Sequence, residues 1–212
     1  MREDRNIFFD LDGTLVDSFP EIKLCLDKSL ELFNINVEKE LTSSLIGPPL
    51  DEILREIMPS QNQEDIEKIK LAYYRFYEDI CVKSNLYDDA EMVLKKLSRK
   101  NKLYVLTNKS KLFSKKIIIS KQIYSFFDDI LCVDPARNDK SSKTKLLKST
   151  MTKLKLSPKN CFLIGDSISD FNAAMKNKIK FFHAVWGYGF IQSTNARKIN
   201  SLKNLFEEKD LI

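Results

Sequence analysis

The chain has 212 residues, 43% of them hydrophobic, enough for one full α/β domain with a real core plus a smaller insert. No stretch approaches the roughly 18–20 apolar residues of a membrane helix, and Met1-Arg2-Glu3-Asp4-Arg5 runs into a strand without a secretory h-region, so a cytoplasmic protein is expected. The net charge of +5 comes from lysines interleaved with acids rather than gathered with aromatics, which reads as a solvated surface rather than a nucleic-acid one and leaves a field that would attract a phosphorylated substrate.

The first strand covers Asn6 to Asp10, and its apolar run Ile7-Phe8-Phe9 leads directly into Asp10-Leu11-Asp12-Gly13-Thr14. Successive strand side chains alternate faces, so aspartates spaced by two can point into one space. One carboxylate can then attack as a nucleophile while the other moves a proton, and both attract a divalent metal. Gly13 permits the tight turn that follows.

A helix opens at Ser18-Phe19-Pro20. From Val16 to about Asn85 only helical periodicity is visible, with Ile22, Leu26, Leu30 and Phe33, then Ile66, Ile69, Tyr73, Phe76 and Ile80. An all-helical insert leaving from the first strand's edge would sit above the first motif as a lid. Its Ile46-Gly47-Pro48-Pro49-Leu50 segment either presents backbone and Arg55 to a substrate or is a rigid inter-helix turn. Arg55, Arg75 and Lys83 read as ordinary helical surface charge.

Beyond the insert, strands at Lys102 to Thr107, Asp129 to Val133, Asn160 to Gly165 and Lys180 to Ala184 alternate with helices. Those helices are Asp89 to Lys100, Lys111 to Lys121, Ser142 to Lys153 and Ser169 to Lys176. This alternation predicts an α/β fold, a Rossmann-like parallel sheet with helices on both faces and ligands at the strands' carboxyl ends. After Gln192 the pattern reads as a loop and a helix, Lys198 to Glu207. His183 reads as structural, the Trp186-Gly187-Tyr188-Gly189 loop either borders the site, because it follows the last strand, or is turn geometry set by Gly187 and Gly189, and Phe126-Phe127 and Phe181-Phe182 read as core. Cys25, Cys81, Cys132 and Cys161 are widely spaced with no Cys-x-x-Cys pair, as expected of reduced thiols.

Three later segments carry chemistry. Thr107 and Asn108 end the second strand and open a helix, where they either cap that helix or, with the helix N–H groups, bind phosphate through hydroxyl and amide. In Asp139-Lys140-Ser141-Ser142-Lys143 one ammonium can reach over the sheet edge to neutralise nucleophile and phosphoryl charge. Lys143, in the first turn of its helix, is preferred over Lys140. Asp166 follows the run Cys161-Phe162-Leu163-Ile164-Gly165, and Asp170 lies in the next helix's first turn, so both can face one cation. Helix capping by Asp166 or Ser167 would be worth only about 1 kcal/mol and needs no second carboxylate. Two charges ~4 Å apart at an effective dielectric of ~20 repel by ~4 kcal/mol. Gathering Asp10, Asp12, Asp166 and Asp170 therefore calls for a lysine and a metal, and oxygen ligands favour Mg²⁺.

These four segments, in this order, resemble the haloacid dehalogenase superfamily with an α-helical cap inserted after the first motif. Thr107-Asn108-Lys109, Gly47-Pro48-Pro49-Leu50 and Trp186-Gly187-Tyr188-Gly189 look most like its phosphoglycolate phosphatase branch. The resemblance implies an α/β core at 1–15 and 86–212, an all-α cap at 16–85, and Mg²⁺ as cofactor. It further implies that Asp10 attacks phosphorus and that Asp12 is the general acid and base. Mg²⁺ would be held by the Asp10 carboxylate, the Asp12 carbonyl, Asp166 and Asp170, and the phosphoryl group by Thr107, Asn108 and Lys143. An acid at Asp12 favours phosphate-ester over carbon–halogen chemistry. The expected substrate is a small phosphorylated metabolite such as 2-phosphoglycolate, handled by a monomer or homodimer without nucleic acid or membrane. A sugar phosphatase, nucleotidase, pyrophosphatase, phosphomutase or non-catalytic binding protein on the same scaffold stays open.

Overall fold

The computed structural model describes residues 5–133, 142–208 and 211. In chain order the elements are β1 (Arg5–Phe9), β2 (Val16–Asp17), α1 (Phe19–Leu32), α2 (Leu50–Ile57), α3 (Gln63–Ile80), β3 (Asn85–Leu86), α4 (Ala90–Leu97) and β4 (Asn101–Thr107). There follow α5 (Lys111–Ser120), β5 (Asp129–Cys132), α6 (Lys143–Lys153), β6 (Cys161–Gly165), α7 (Ile168–Lys176), β7 (Lys180–Ala184) and β8 (Ala196–Ile199).

Six strands form one sheet in the order β5-β4-β1-β6-β7-β8, with every pairing parallel. β1 is covered on both faces, and so its sequence is apolar without alternation. Its side chains feed two cores. Ile7 and Phe9 pack with Val93 and Leu94 of α4 and Ile117 of α5, while Phe8 packs with Leu147 and Met151 of α6 and Ala173 and Ala174 of α7. The chain moves outward from β1 to β4 and β5, then crosses to β6, β7 and β8. The order therefore reverses at β1, and the crevice beyond its carboxyl end is where an open α/β sheet binds ligands.

Between β1 and β4, α1 and α2 pack on α3, and Tyr77 of α3 meets Phe113 of α5 edge-on, with ring centroids 5.1 Å apart. No helix among the described residues is long and apolar enough to cross a membrane. All four cysteines are free thiols.

Two expectations need correction. The segment between Val16 and Asn85 is not purely helical: Val16 pairs with Leu86 and Asp17 with Asn85 in a two-stranded antiparallel ribbon at its base. Strands of two residues have no readable period. The tail is likewise not a helix from Lys198. Ala196–Ile199 joins β7 as the sheet's edge strand, and only Leu202–Phe206 coils into a 3₁₀ turn. Ile199, Leu202 and Leu205 mimic helical spacing, but the open edge of β7 captures the first part of that pattern in a parallel ladder.

Candidate active site

β1 delivers Asp10 to the reversal point, where its N–H donates to the Ile164 carbonyl at 2.9 Å and its side chain is buried. Asp166 arrives at the end of β6 and Asp170 in the first turn of α7. Carboxylate oxygens of Asp10, Asp166 and Asp170 lie within 4.8 Å of one another. Lys143 is the first residue of α6, a helix capped by Ser142, whose hydroxyl accepts from the Lys145 N–H. Its ammonium, 1% exposed, lies 2.9 Å from Asp10 Oδ1 and 2.6 Å from Asp170 Oδ1. Lys140, the other lysine weighed for this place, lies outside the described residues.

Each group in this cluster has its own support. Thr14 Oγ1 donates to Asp166 Oδ1 at 3.1 Å and the Tyr188 N–H to Asp166 Oδ2 at 2.8 Å. Ser167 caps α7 and donates from its hydroxyl and N–H to Asp170 Oδ2 at 2.5 and 3.1 Å, a reciprocal capping box. Asp170 thus caps the helix and lines the cluster at once. Gly13 has φ +79°, and a Cβ there would run into the Asp166 carboxylate. The glycine-bearing loop at Gly187 approaches as closely: a Cβ would strike Asp166 and the Gly13 carbonyl.

Burial, and then the charge of Asp170, raise the Asp10 carboxyl well above its ordinary range against the pull of Lys143. The same two causes push Asp166 up to about 6. Burial opposes the Lys143 ammonium, but Asp10 and Asp170 outweigh it and hold its proton more tightly. With all three acids ionised and one ammonium present, the cluster carries two uncompensated negative charges. That excess and an all-oxygen donor set fit one divalent cation such as Mg²⁺.

Asp12 stands apart from this group. Its Oδ1 accepts from Ser18 Oγ at 2.5 Å, and Lys109 Nζ lies 2.9 and 3.0 Å from its two oxygens. The four-carboxylate cluster expected from the sequence is therefore a cluster of three beside one separate ion pair. Ser18 precedes α1 but makes no side-chain cap, its hydroxyl being committed to Asp12.

A cavity of about 590 Å³ opens over these residues. Asp10, Asp12, Thr107, Asn108 and Lys109 line it from the sheet, and the turn Gly47-Pro48-Pro49 with Tyr73 and Tyr77 lines it from the inserted helices. Thr107 is buried, and its Oγ1 accepts the Lys109 N–H at 3.1 Å. Asn108 Nδ2 donates to the Gly47 carbonyl at 2.5 Å, tying the 46–50 segment to the sheet edge. The α5 cap is Ser110, not Thr107 or Asn108. Arg55, Arg75 and Lys83 do not line the cavity; Arg55 pairs with Gln63 on the surface. His183 is buried with Nε2 3.3 Å from the Gly189 carbonyl, away from the cavity wall.

Two residues with evident work here were not assigned any from the sequence. Lys109 enters the sequence pattern only with Thr107 and Asn108, although a lysine two places beyond a strand-end threonine is a signal for a buried acid partner. Tyr188 carries no role of its own in the sequence reading, only a place in the glycine-bearing loop after the last strand. Its hydroxyl accepts the Ser18 and Phe19 N–H groups at 2.7 and 2.9 Å and donates to Asp17 Oδ1 at 2.8 Å. Nothing in the sequence signalled that partner set.

A family model described as haloacid dehalogenase-like hydrolase matches residues 7–184. Among curated proteins, a phosphoglycolate phosphatase of Aquifex aeolicus is 31% identical over 186 residues, covering 87% of this chain and 86% of its own length. One from Colwellia psychrerythraea is 29% identical, covering 92% and 90%. A solved structure of a predicted phosphatase from Clostridium acetobutylicum is similar with a TM-score of 0.84 at 26% identity, covering 96% of this chain and 97% of that one. With this sheet order, this cluster and these relatives, the chain belongs to the haloacid dehalogenase-like hydrolases and is a phosphatase.

Proposed function

We propose that the protein hydrolyses a small phosphomonoester through an aspartyl-phosphate on Asp10, with Mg²⁺ as cofactor. The observation that carries this reading is the Asp10 carboxylate held by Lys143 at the floor of a cavity, beside two more buried carboxylates. Asp10, Asp166 and Asp170, with the Asp12 carbonyl, would hold the ion, which when bound offsets the negative charge of carboxylates and phosphoryl oxygens. An Asp10 oxygen attacks phosphorus as the ester P–O bond breaks, and Asp12 gives its proton to the departing oxygen. Asp12 then takes a proton from water, whose oxygen displaces Asp10 from phosphorus and frees inorganic phosphate. Thr107, Asn108 and Lys143 bind the transferring phosphoryl oxygens, and the Lys143 ammonium favours the ionised form of Asp10 against its burial.

Residues 16–85 act as the cap over a core formed by 1–15 and 86–212, excluding bulk water and contacting the leaving group. The protein works in the cytoplasm on a soluble metabolite. The named relatives favour 2-phosphoglycolate. One observation favours a second reading, a larger sugar or aryl phosphate: the 590 Å³ cavity, walled by Tyr73, Tyr74 and Phe113, exceeds what a two-carbon ester fills.

The test is phosphate release from 2-phosphoglycolate, hexose phosphates, nucleoside monophosphates and pyrophosphate, with Mg²⁺ and with a chelator. Release from a phosphomonoester that disappears on chelation and returns with Mg²⁺ is expected. Turnover indifferent to the metal would overturn the proposed cofactor.

A further inference from the structure

The edge of the sheet opposite the cavity carries charge of one sign. Lysines alternating with acids describe α1 and α3, but between Ser142 and Phe206 the only acids are Asp166 and Asp170, both buried in the cluster above. β6 and β7 run parallel with Phe162 beside Lys180, so the residues leading into these strands lie together at the amino end of the sheet, while Asp10 and Asp166 lie at its carboxyl end. There the last turns of α6 and α7 and the links to β6 and β7 expose Lys153, Lys155, Lys159, Lys176, Lys178 and Lys180. Such an asymmetry of charge along a chain points to a polyanionic partner.

Local structure accounts for only part of this array. Lys153 and Lys176 stand in last helical turns, where the helix dipole favours a cation. Lys155 and Lys178 follow their helices at φ +54° and +57°, a left-handed position that suits glycine or asparagine. Both helices close there with the same bond, from the Leu156 N–H to the Met151 carbonyl at 2.9 Å and from the Ile179 N–H to the Ala174 carbonyl at 3.1 Å. At the same place α1 and α5 carry the neutral Asn34 and Gln122. Two lysines therefore stand where backbone preference alone would select another residue. None of Lys153, Lys155, Lys159, Lys176 and Lys178 has an ion-pair partner among the described residues.

The composition of the array selects the kind of anion. Neither segment, 153–160 or 176–180, contains an arginine for bidentate phosphate contacts or an aromatic residue for stacking on bases, which tells against a nucleic acid. Leu154 is 43% exposed between Lys153 and Lys155, an apolar side chain that a lipid headgroup layer accepts and a phosphodiester backbone does not. We infer that this edge docks reversibly on an anionic lipid surface, with the six lysines facing headgroup phosphates and Leu154 entering the layer. The cavity, at the opposite edge of the sheet, then opens toward solution and stays accessible to a soluble substrate. Such docking departs from the sequence expectation of no membrane contact, because that expectation took the lysines of the whole chain as interleaved with acids. It is independent of the reaction assigned to the cavity.

The test is co-sedimentation with vesicles of phosphatidylcholine alone and with roughly one lipid in three replaced by phosphatidylglycerol. Binding to the anionic vesicles only, lost between ~0.05 and ~0.5 M salt, is expected. A lysine beside an anionic surface is worth roughly five-fold in binding, so Lys155→Asn combined with Lys178→Asn should weaken it ~25-fold. Asparagine accepts the left-handed backbone, so Tm should hold or rise and lost binding is not lost folding. Lys159→Gln with Lys176→Gln, which asks nothing of the backbone, should weaken binding as much, whereas Lys23→Gln with Lys68→Gln on the inserted helices should change it by less than about two-fold. Absent binding, equal binding to neutral and anionic vesicles, or edge variants that bind like the wild type would overturn the inference. So would tighter binding to an oligonucleotide at equal phosphate concentration, which would assign the edge to nucleic acid instead.

Discussion

The floor and the roof of the cavity are built on different principles. The floor, with Asp10, Lys143, Asp166 and Asp170, hangs from strand ends and first helical turns, and each carboxylate is held by an ion pair or by hydrogen bonds of 2.5–3.1 Å. The roof comes from the helices between β1 and β4. It meets the floor through aromatic faces, the Asn108 bond to Gly47 and the ribbon at its base. Buried charge tolerates little displacement because its compensation is lost with distance, whereas apolar contacts slide and repack at small cost. On the proposed mechanism, reaction chemistry belongs on the first kind of support and substrate choice on the second.

Substitutions in the two regions should therefore separate. The largest effect is expected at the centre of the floor. Asp10→Asn keeps the shape but removes the proposed nucleophile, and phosphate release should drop below ~10⁻⁴ of the wild type, while Asp12→Asn, beside the floor, should slow it ~10²- to 10⁴-fold. An Asp10→Asn protein with near-normal turnover would end the proposed mechanism.

Next comes the support of the floor. Thr14→Val deletes the hydroxyl on Asp166 while preserving volume. It should raise the Mg²⁺ concentration for half-maximal activity ~10-fold or more, leaving the rate at saturating metal closer to normal. An unchanged Mg²⁺ curve would show that Thr14 does not tune the cluster.

The smallest expected effect lies where the two regions join. Tyr188→Phe strips the Ser18 and Phe19 N–H groups of their acceptor and Asp17 of a donor. It should cost about 1–3 kcal/mol, read as a fall in Tm of roughly 3–10 °C, with the Mg²⁺ requirement unmoved because the Asp166 contact comes from the backbone N–H of residue 188.

Much of the floor was readable before any coordinates. An apolar run with no alternation, ended by a carboxylate or a hydroxyl, marks a doubly covered parallel strand delivering a polar group to the sheet edge, and Asp10, Thr107 and Asp166 all follow that rule. Ser142 and Ser167 at helix starts are local signals of the same kind, because a cap bonds to backbone only three residues away. What only tertiary structure decided are the partnerships across long separations in the chain: Val16 with Leu86, β8 with β7, Lys109 with Asp12, and Tyr188 with Asp166 and Asp17. A residue type states which bonds it can make, but its distant partner is chosen by packing the whole sheet and its helices, where close packing leaves a buried lysine or tyrosine few polar neighbours to choose from.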